Sequence, residues 1–120
     1  KLEELQISRQ IVSDETNSVV VNGTNTLYAN SIYGGFFNKV TADYDENTVF
    51  VLQNDNNGFA FFDVFPKAEG RILANSSFLD GCDKQVLPDA QRVLTNNKGE
   101  AVLQADGKWR VIKKLSVTVS

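Results

Sequence analysis

The chain has 120 residues, a formal net charge of -3, no histidine and one cysteine. This length suits a single domain with its own core, and the 42% hydrophobic and 22% charged residues are typical of a folded protein. The acidic balance argues against a nucleic-acid partner, which needs clustered Lys and Arg. No apolar run is long enough to insert into a membrane, and the lone Cys82 excludes an intrachain disulfide.

The first predicted element lies at the N-terminus. Leu5, Ile7 and Ile11 alternate with polar residues, which favours a strand, although Leu2 with Leu5 could equally begin a short helix. A polar stretch at 13–18 follows and would serve as a hinge. Residues 1–12 are therefore predicted to be an exchangeable strand with Leu5, Ile7 and Ile11 as assembly candidates. The sequence begins with Lys1 and lacks Met, which we interpret as a processed or trimmed chain.

Turn dipeptides between short β-rich runs predict three hairpins, at Asn22-Gly23, Asn57-Gly58 and Asp106-Gly107. Asn and Asp tolerate positive φ and Gly prefers it, as tight hairpin turns require. We also predict strands at 36–44, at 71–74 and at 115–120, where alternation puts one face on the core. The stretch 76–90 is predicted to be a loop with one helical turn at 88–91.

These elements predict an all-β fold: a single-domain antiparallel β-sandwich or squat β-barrel of about nine or ten short strands, spanning residues 1–120. The hairpin at 49–65 is apolar on both faces and rich in Phe, so we expect a central position with its phenylalanines in the core; an exposed docking face is the alternative. Trp109 and Val111 are expected to face the core, with Lys108 and Arg110 pointing the other way.

Residues 49–79 resemble the small β-modules at the ends of bacterial surface leucine-rich-repeat proteins. In those modules a hairpin precedes an I-x-A-N-x-x-x-L run, which is similar to the run from Ile72 to Leu79 here. The resemblance covers about a quarter of the chain. The fold and the site residues are predicted from the sequence pattern alone.

The missing histidine removes Ser-His and Cys-His catalysis and the commonest transition-metal ligand. The sequence also lacks phosphate-cradling and metal-hydrolase motifs. We therefore expect no enzymatic activity, no catalytic residue and no cofactor. The acidic run at 43–47 begins like an EF-hand calcium loop but has Thr48 and Asn54 where that loop needs Gly and Glu. The alternative to a metal-free chain is a looser calcium site on the surface, formed by Asp43, Asp45 and Asp55.

Aromatic and amide residues in predicted turns suggest a binding surface, since rings stack on sugars or proteins and amides bond to hydroxyl groups. The candidates are Tyr28, Tyr33, Tyr44, Asn54, Asn56 and Asn57. We expect an extracellular or cell-surface adhesion domain that binds a protein or a glycan. One alternative is a self-assembling subunit of a filament, pilus-like fibre or virion; another is a barrel whose phenylalanines line a pocket for a small apolar ligand.

Overall fold

The computed structural model describes residues 25–120, and within them ten strands form two sheets. The strands are β1 (Asn25–Ala29), β2 (Ser31–Tyr33), β3 (Phe36–Asn38), β4 (Phe50–Asn54), β5 (Phe59–Val64), β6 (Asp83–Val86), β7 (Val93–Asn97), β8 (Gly99–Leu103), β9 (Trp109–Lys113) and β10 (Ser116–Val119). A short helix, α1 (Glu69–Ala74), lies between two 3-10 helices, Pro66–Ala68 and Ser76–Leu79. No helix among the described residues is long and apolar enough to cross a membrane.

The larger sheet has seven strands in the order β1-β4-β5-β8-β9-β3-β2, and all its pairings are antiparallel. Its two outer strands, β1 and β2, are separated in sequence by Asn30 alone. The two edges are therefore halves of one bent strand, and the sheet curls back towards itself. Tyr28 and Thr41 exchange backbone hydrogen bonds of 2.8 and 2.9 Å, which tie the chain after β3 to β1.

The smaller sheet has the order β6-β10-β7. β10 pairs antiparallel with β7 but parallel with β6, which is the one departure from the antiparallel arrangement in the described chain. Val117 and Val119 on β10 are buried, and on the opposite side of the sheet Asn96 donates to Thr118 at 3.0 Å. Leu94, the cross-strand partner of Thr118, is 45% exposed on that side. Strand alternation thus turns the valines of β10 towards the core and Thr118 away from it.

Three phenylalanines fill the inside of the curled sheet. Phe37 lies 4.8 Å from Phe62 and 5.8 Å from Phe50 between ring centroids, both edge to face. Phe50 and Phe62 are 6.1 Å apart. Edge-to-face pairs are the favourable arrangement for buried rings. The same buried cluster continues through Ile72 and Leu115, so it joins the two sheets.

The structure confirms the all-β fold class and two of the hairpins. Asn57-Gly58 connects β4 to β5, and Asp106-Gly107 connects β8 to β9. The final strand is confirmed at β10, and Trp109 is buried with 5% exposure. The Asn22-Gly23 turn and the predicted strand at 1–12 lie outside the described residues.

The phenylalanines of the β4–β5 hairpin divide between the two faces. Phe50, Phe62 and Phe65 are buried as expected. Phe61 is 48% exposed, and its ring packs against Phe59 at 5.0 Å. Since successive strand residues point to opposite faces, Phe62 points into the core and Phe61 points away from it. The prediction that these phenylalanines are core residues is therefore confirmed on one face of β5, whereas Phe61 lies on the other face and is exposed.

Three local predictions were wrong. The segment 71–74, predicted as a strand, is part of α1. The prediction failed because the apolar run Ile72-Leu73 is too short to distinguish the period of a helix from that of a strand. The strand at 36–44 ends at Asn38, where Lys39 takes a φ of 54° and turns the chain. In the predicted loop at 76–90, the helical turn lies at Ser76–Leu79 and not at 88–91. The Asn75 side chain caps this turn by accepting from the backbone N–H of Ser77. The strand β6 follows within the same segment.

Candidate binding surface at the Tyr33 hairpin

A two-residue hairpin between β2 and β3 presents the most exposed aromatic residue of the described chain. Tyr33 pairs with Phe36 across the turn Gly34-Gly35, whose φ values are 61° and 83°. Positive φ at both central residues is the type I′ pattern that favours glycine. Tyr33 is 86% exposed. No described residue places an atom within 4 Å of where a Cβ would lie on either glycine, so the backbone of the turn is open to a ligand.

The base of this hairpin is fixed to the rest of the fold. Ile32 on β2 and Phe37 on β3, which lie next to Tyr33 and Phe36, are buried in the core. The backbone N–H of Val111 donates to the carbonyl of Gly35 at 2.8 Å. Gly81 packs so closely on Ile32 that a Cβ there would lie 2.8 Å from the Ile32 side chain. Tyr33 is therefore an exposed ring on a firmly anchored support.

Two surface grooves meet at Tyr33 and Gly34. The first has a volume of about 530 Å³ and is also lined by Ile32, Gly35, Asp80, Gly81, Val111, Ile112 and Lys114. The second has a volume of about 730 Å³ and is also lined by Phe36, Phe37, Asn38, Lys39, Val40, Gly107, Lys108 and Trp109. A ligand lying across Tyr33 could contact both grooves, since the same ring forms a wall of each.

The combined lining of the two grooves is cationic, through the second groove, although the whole chain is acidic. Lys39, Lys108 and Lys114 are exposed lining residues, and Asp80 is the single carboxylate that lines either groove. Asp80 forms a salt bridge of 2.9 Å with Lys84. The lining therefore carries an excess of positive charge, which attracts anionic groups at low salt.

Two of the predicted tyrosines lie elsewhere and pack on each other. The rings of Tyr28 and Tyr44 are 5.6 Å apart, and both contact Phe65, at 5.6 and 5.0 Å. Lys67 donates to the Tyr44 hydroxyl at 3.0 Å, with its ammonium 4.8 Å from the ring centroid. Tyr44 is still 49% exposed. These contacts hold the loop before β4 against the 3-10 helix that follows β5.

The predicted amides belong to the tip of the β4–β5 hairpin, and none lines either groove. The Asn54 side chain accepts from the backbone N–H of Asn56 at 2.9 Å, and Asn25 donates to the Asn56 side chain at 2.7 Å. The Asp55 carboxylate accepts from the backbone N–H groups of Asn57 and Phe59. These side chains stabilise the turn itself.

The calcium candidates are not assembled as a site. Among residues 25–120, no group of three or more His, Cys, Asp or Glu side chains is placed to hold a metal ion. Asp45 accepts from the backbone N–H of Asn47 at 2.8 Å, and Asp55 closes the next hairpin tip. Asp43 contributes its backbone carbonyl to Thr41 at 2.8 Å.

Of the predicted partner-binding residues, Tyr33 alone lines the grooves. The turn Gly34-Gly35 was a readable signal, because a Gly-Gly pair between apolar runs is a hairpin pattern like Asn-Gly. The basic cluster at Lys108 and Lys114 was also visible in sequence. No protein-family model, curated protein or solved structure is significantly similar to this chain, so its function is argued from this geometry.

Proposed function

We propose that this chain is a non-enzymatic carbohydrate-binding domain that acts at a cell surface or outside the cell, with the Tyr33 hairpin as its binding site. The observation that carries the proposal is the 86% exposure of Tyr33 between two grooves. An exposed aromatic ring offers a flat apolar face to the C–H groups of a sugar ring, while its hydroxyl group can bond to water or to the ligand.

The surroundings of Tyr33 supply the polar partners that sugar hydroxyls need. Asn38 offers both a donor and an acceptor, and the lysines offer donors. The open backbone of Gly34-Gly35 allows close approach. Because the hairpin is anchored at Ile32 and Val111, little ordering of the protein is needed on binding.

The test is a glycan array probed with the folded chain and three variants. Tyr33→Ala should abolish the signal, and Tyr33→Phe should keep most of it, because the ring is retained. Phe61→Ala is the matched control, since Phe61 is another exposed aromatic residue but lies away from both grooves. Binding that survives Tyr33→Ala, or that is lost equally in Phe61→Ala, would refute this site. A chain that binds no glycan would favour a protein partner on the same surface, since Tyr and Arg dominate protein hot spots.

An open strand edge favours a second candidate function, self-assembly. β6 pairs with β10 alone in the described chain. Asp83 donates to the carbonyl of Leu115, next to β10, and Leu87 to that of Val119, both at 2.8 Å. Alternation therefore turns the backbone groups of Lys84 and Val86 outward. On the other edge of this sheet the outward N–H of Val93 is already bonded, because the Glu69 carboxylate accepts from it at 2.9 Å. An open edge can accept a strand from another chain.

Sedimentation of the full chain tests this second function. Val86→Pro removes an outward N–H from the edge without removing a bond to β10, and Val86→Thr keeps that N–H as the matched control. Assembly through β6 predicts that Val86→Pro is monomeric while Val86→Thr still associates. Deletion of residues 1–12 should also prevent association if that segment is the donor, with circular dichroism reporting that the β-rich fold persists. A full chain that stays monomeric at millimolar concentration would exclude this function.

A further inference from the structure

We propose that the ligand class at the Tyr33 hairpin is an anionic polysaccharide, an inference that rests on the proposed carbohydrate binding. The chain carries 12 basic and 15 acidic residues, so its composition gives no excess of positive charge. The second groove shows the opposite balance, with Lys39 and Lys108 and no carboxylate, while the first groove has Lys114 against Asp80. Charge of one sign concentrated in a groove is typical of a surface that attracts the opposite sign.

Two carboxylates close to these lysines in the groove lining or in sequence are already engaged. Asp80 is paired with Lys84 at 2.9 Å. Asp106 accepts from the backbone N–H of Lys108 at 3.0 Å and so caps the turn before β9. Lys39, Lys108 and Lys114 appear in no ion pair with another described residue. Their ammonium groups are therefore available to an external anion.

A further cation extends the same surface. Arg110 is exposed on β9, and its cross-strand partner is Phe36, which pairs in turn with Tyr33. Cross-strand neighbours on one face lie about 4.5–5.5 Å apart at Cβ. A guanidinium forms bidentate bonds with carboxylate and with sulfate-like groups. The row Arg110, Phe36, Tyr33 therefore places a planar cation two strands from the aromatic ring that would stack on the sugar, on the same face of the sheet.

A chain of sugars fits this layout better than a single charged group. Lys39 and Lys108 line one groove and Lys114 lines the other, with Tyr33 between them. One ring stacked on Tyr33 would leave its neighbours on each side facing a lysine. The expected repeat therefore carries an acidic group on successive sugars, as a carboxylate or a sulfate.

The test compares charged polymers with neutral polymers of the same backbone. Polygalacturonate is compared with its methyl ester, and dextran sulfate with dextran, by titration into the full chain. We expect binding to at least one anionic polymer and a loss of at least tenfold in affinity for its neutral counterpart. The affinity should fall as salt is raised, and the two pairs of polymers distinguish a carboxylate from a sulfate ligand.

The variants Lys39→Gln and Lys108→Gln should each weaken binding to the anionic polymer several-fold. Lys98→Gln is the control, because Lys98 is an exposed lysine that lines neither groove. Equal binding of charged and neutral polymers would overturn the anionic preference and leave carbohydrate binding standing. Binding of single-stranded DNA as tight as that of the best polysaccharide, or an equal effect of Lys98→Gln, would overturn it in favour of nonspecific polyanion binding.

Discussion

Gly99 is expected to be intolerant of any side chain, because Phe62 lies across it. The two residues are a cross-strand pair between β8 and β5. A Cβ on Gly99 would lie within 3.0 Å of three atoms of the Phe62 ring. That ring is 1% exposed and is held by Phe37 and Phe50, so it cannot turn aside without disturbing the aromatic core.

We expect Gly99→Ala to lower the free energy of unfolding by about 3 kcal/mol, the upper end of the usual cost of overpacking. For a chain of this size that corresponds to a melting temperature lower by roughly 12 °C. Urea unfolding followed by circular dichroism measures the free energy directly. Gly70→Ala is the matched control: outside its chain neighbours and the backbone of α1, no described atom lies within 4 Å of its Cβ position. The variant should leave α1 unchanged or stabilise it by up to about 1 kcal/mol.

A double-mutant cycle tests the cause. In a Phe62→Leu background the ring is gone, so Gly99→Ala should cost at least about 1 kcal/mol less than in the native background. If Gly99→Ala is as stable as the native chain, or costs the same in both backgrounds, the steric reasoning is wrong.

Three further predictions concern buried and charged groups. Trp109→Ala should cost about 3–5 kcal/mol, and native Trp fluorescence should be blue-shifted and poorly quenched by acrylamide. The hydrogen bond from the backbone N–H of Val93 lowers the pKa of Glu69 below its ordinary 4.5, so Glu69→Ala should destabilise the fold at neutral pH. The difference in stability between the variant and the native chain should be lost as the pH falls from 4.5 through the lowered pKa. Burial raises the pKa of Cys82 to about 12, so a thiol reagent should react roughly a thousandfold faster after unfolding. A native chain labelled as fast as the unfolded one would contradict this.

Local signals in the sequence predicted the fold well where a turn and its strands are close in sequence. Asn57-Gly58 and Asp106-Gly107 specify their hairpins because the dipeptide itself sets the backbone conformation. The helix at Glu69–Ala74 was missed because two adjacent apolar residues fit either period. Whether the sheet forms a sandwich or a curl depends on pairings such as Phe36 with Arg110, which no local pattern reveals.

The sequence predicted one residue of the candidate site, Tyr33. Tyr33 was selected as an aromatic residue near amide-rich turns, but Tyr28 and Tyr44 fit the same description and are packed on each other. The side chains that flank Tyr33, including Asp80 and Lys108, are distant in sequence. They meet through the pairing of β3 with β9 and the packing of Gly81 on Ile32, so their proximity could not be read from spacing.

The pairing of β3 with β9 also governs when this chain can fold. Phe36 and Arg110 are far apart in sequence, so the curl of the larger sheet forms only once β9 is available to pair with β3. Until then β3 and β8 each lack a neighbour, and their backbone groups are exposed to other chains. Any state of the chain in which β9 has not yet paired is therefore prone to aggregate, and a deletion of β9 would leave both strand edges open.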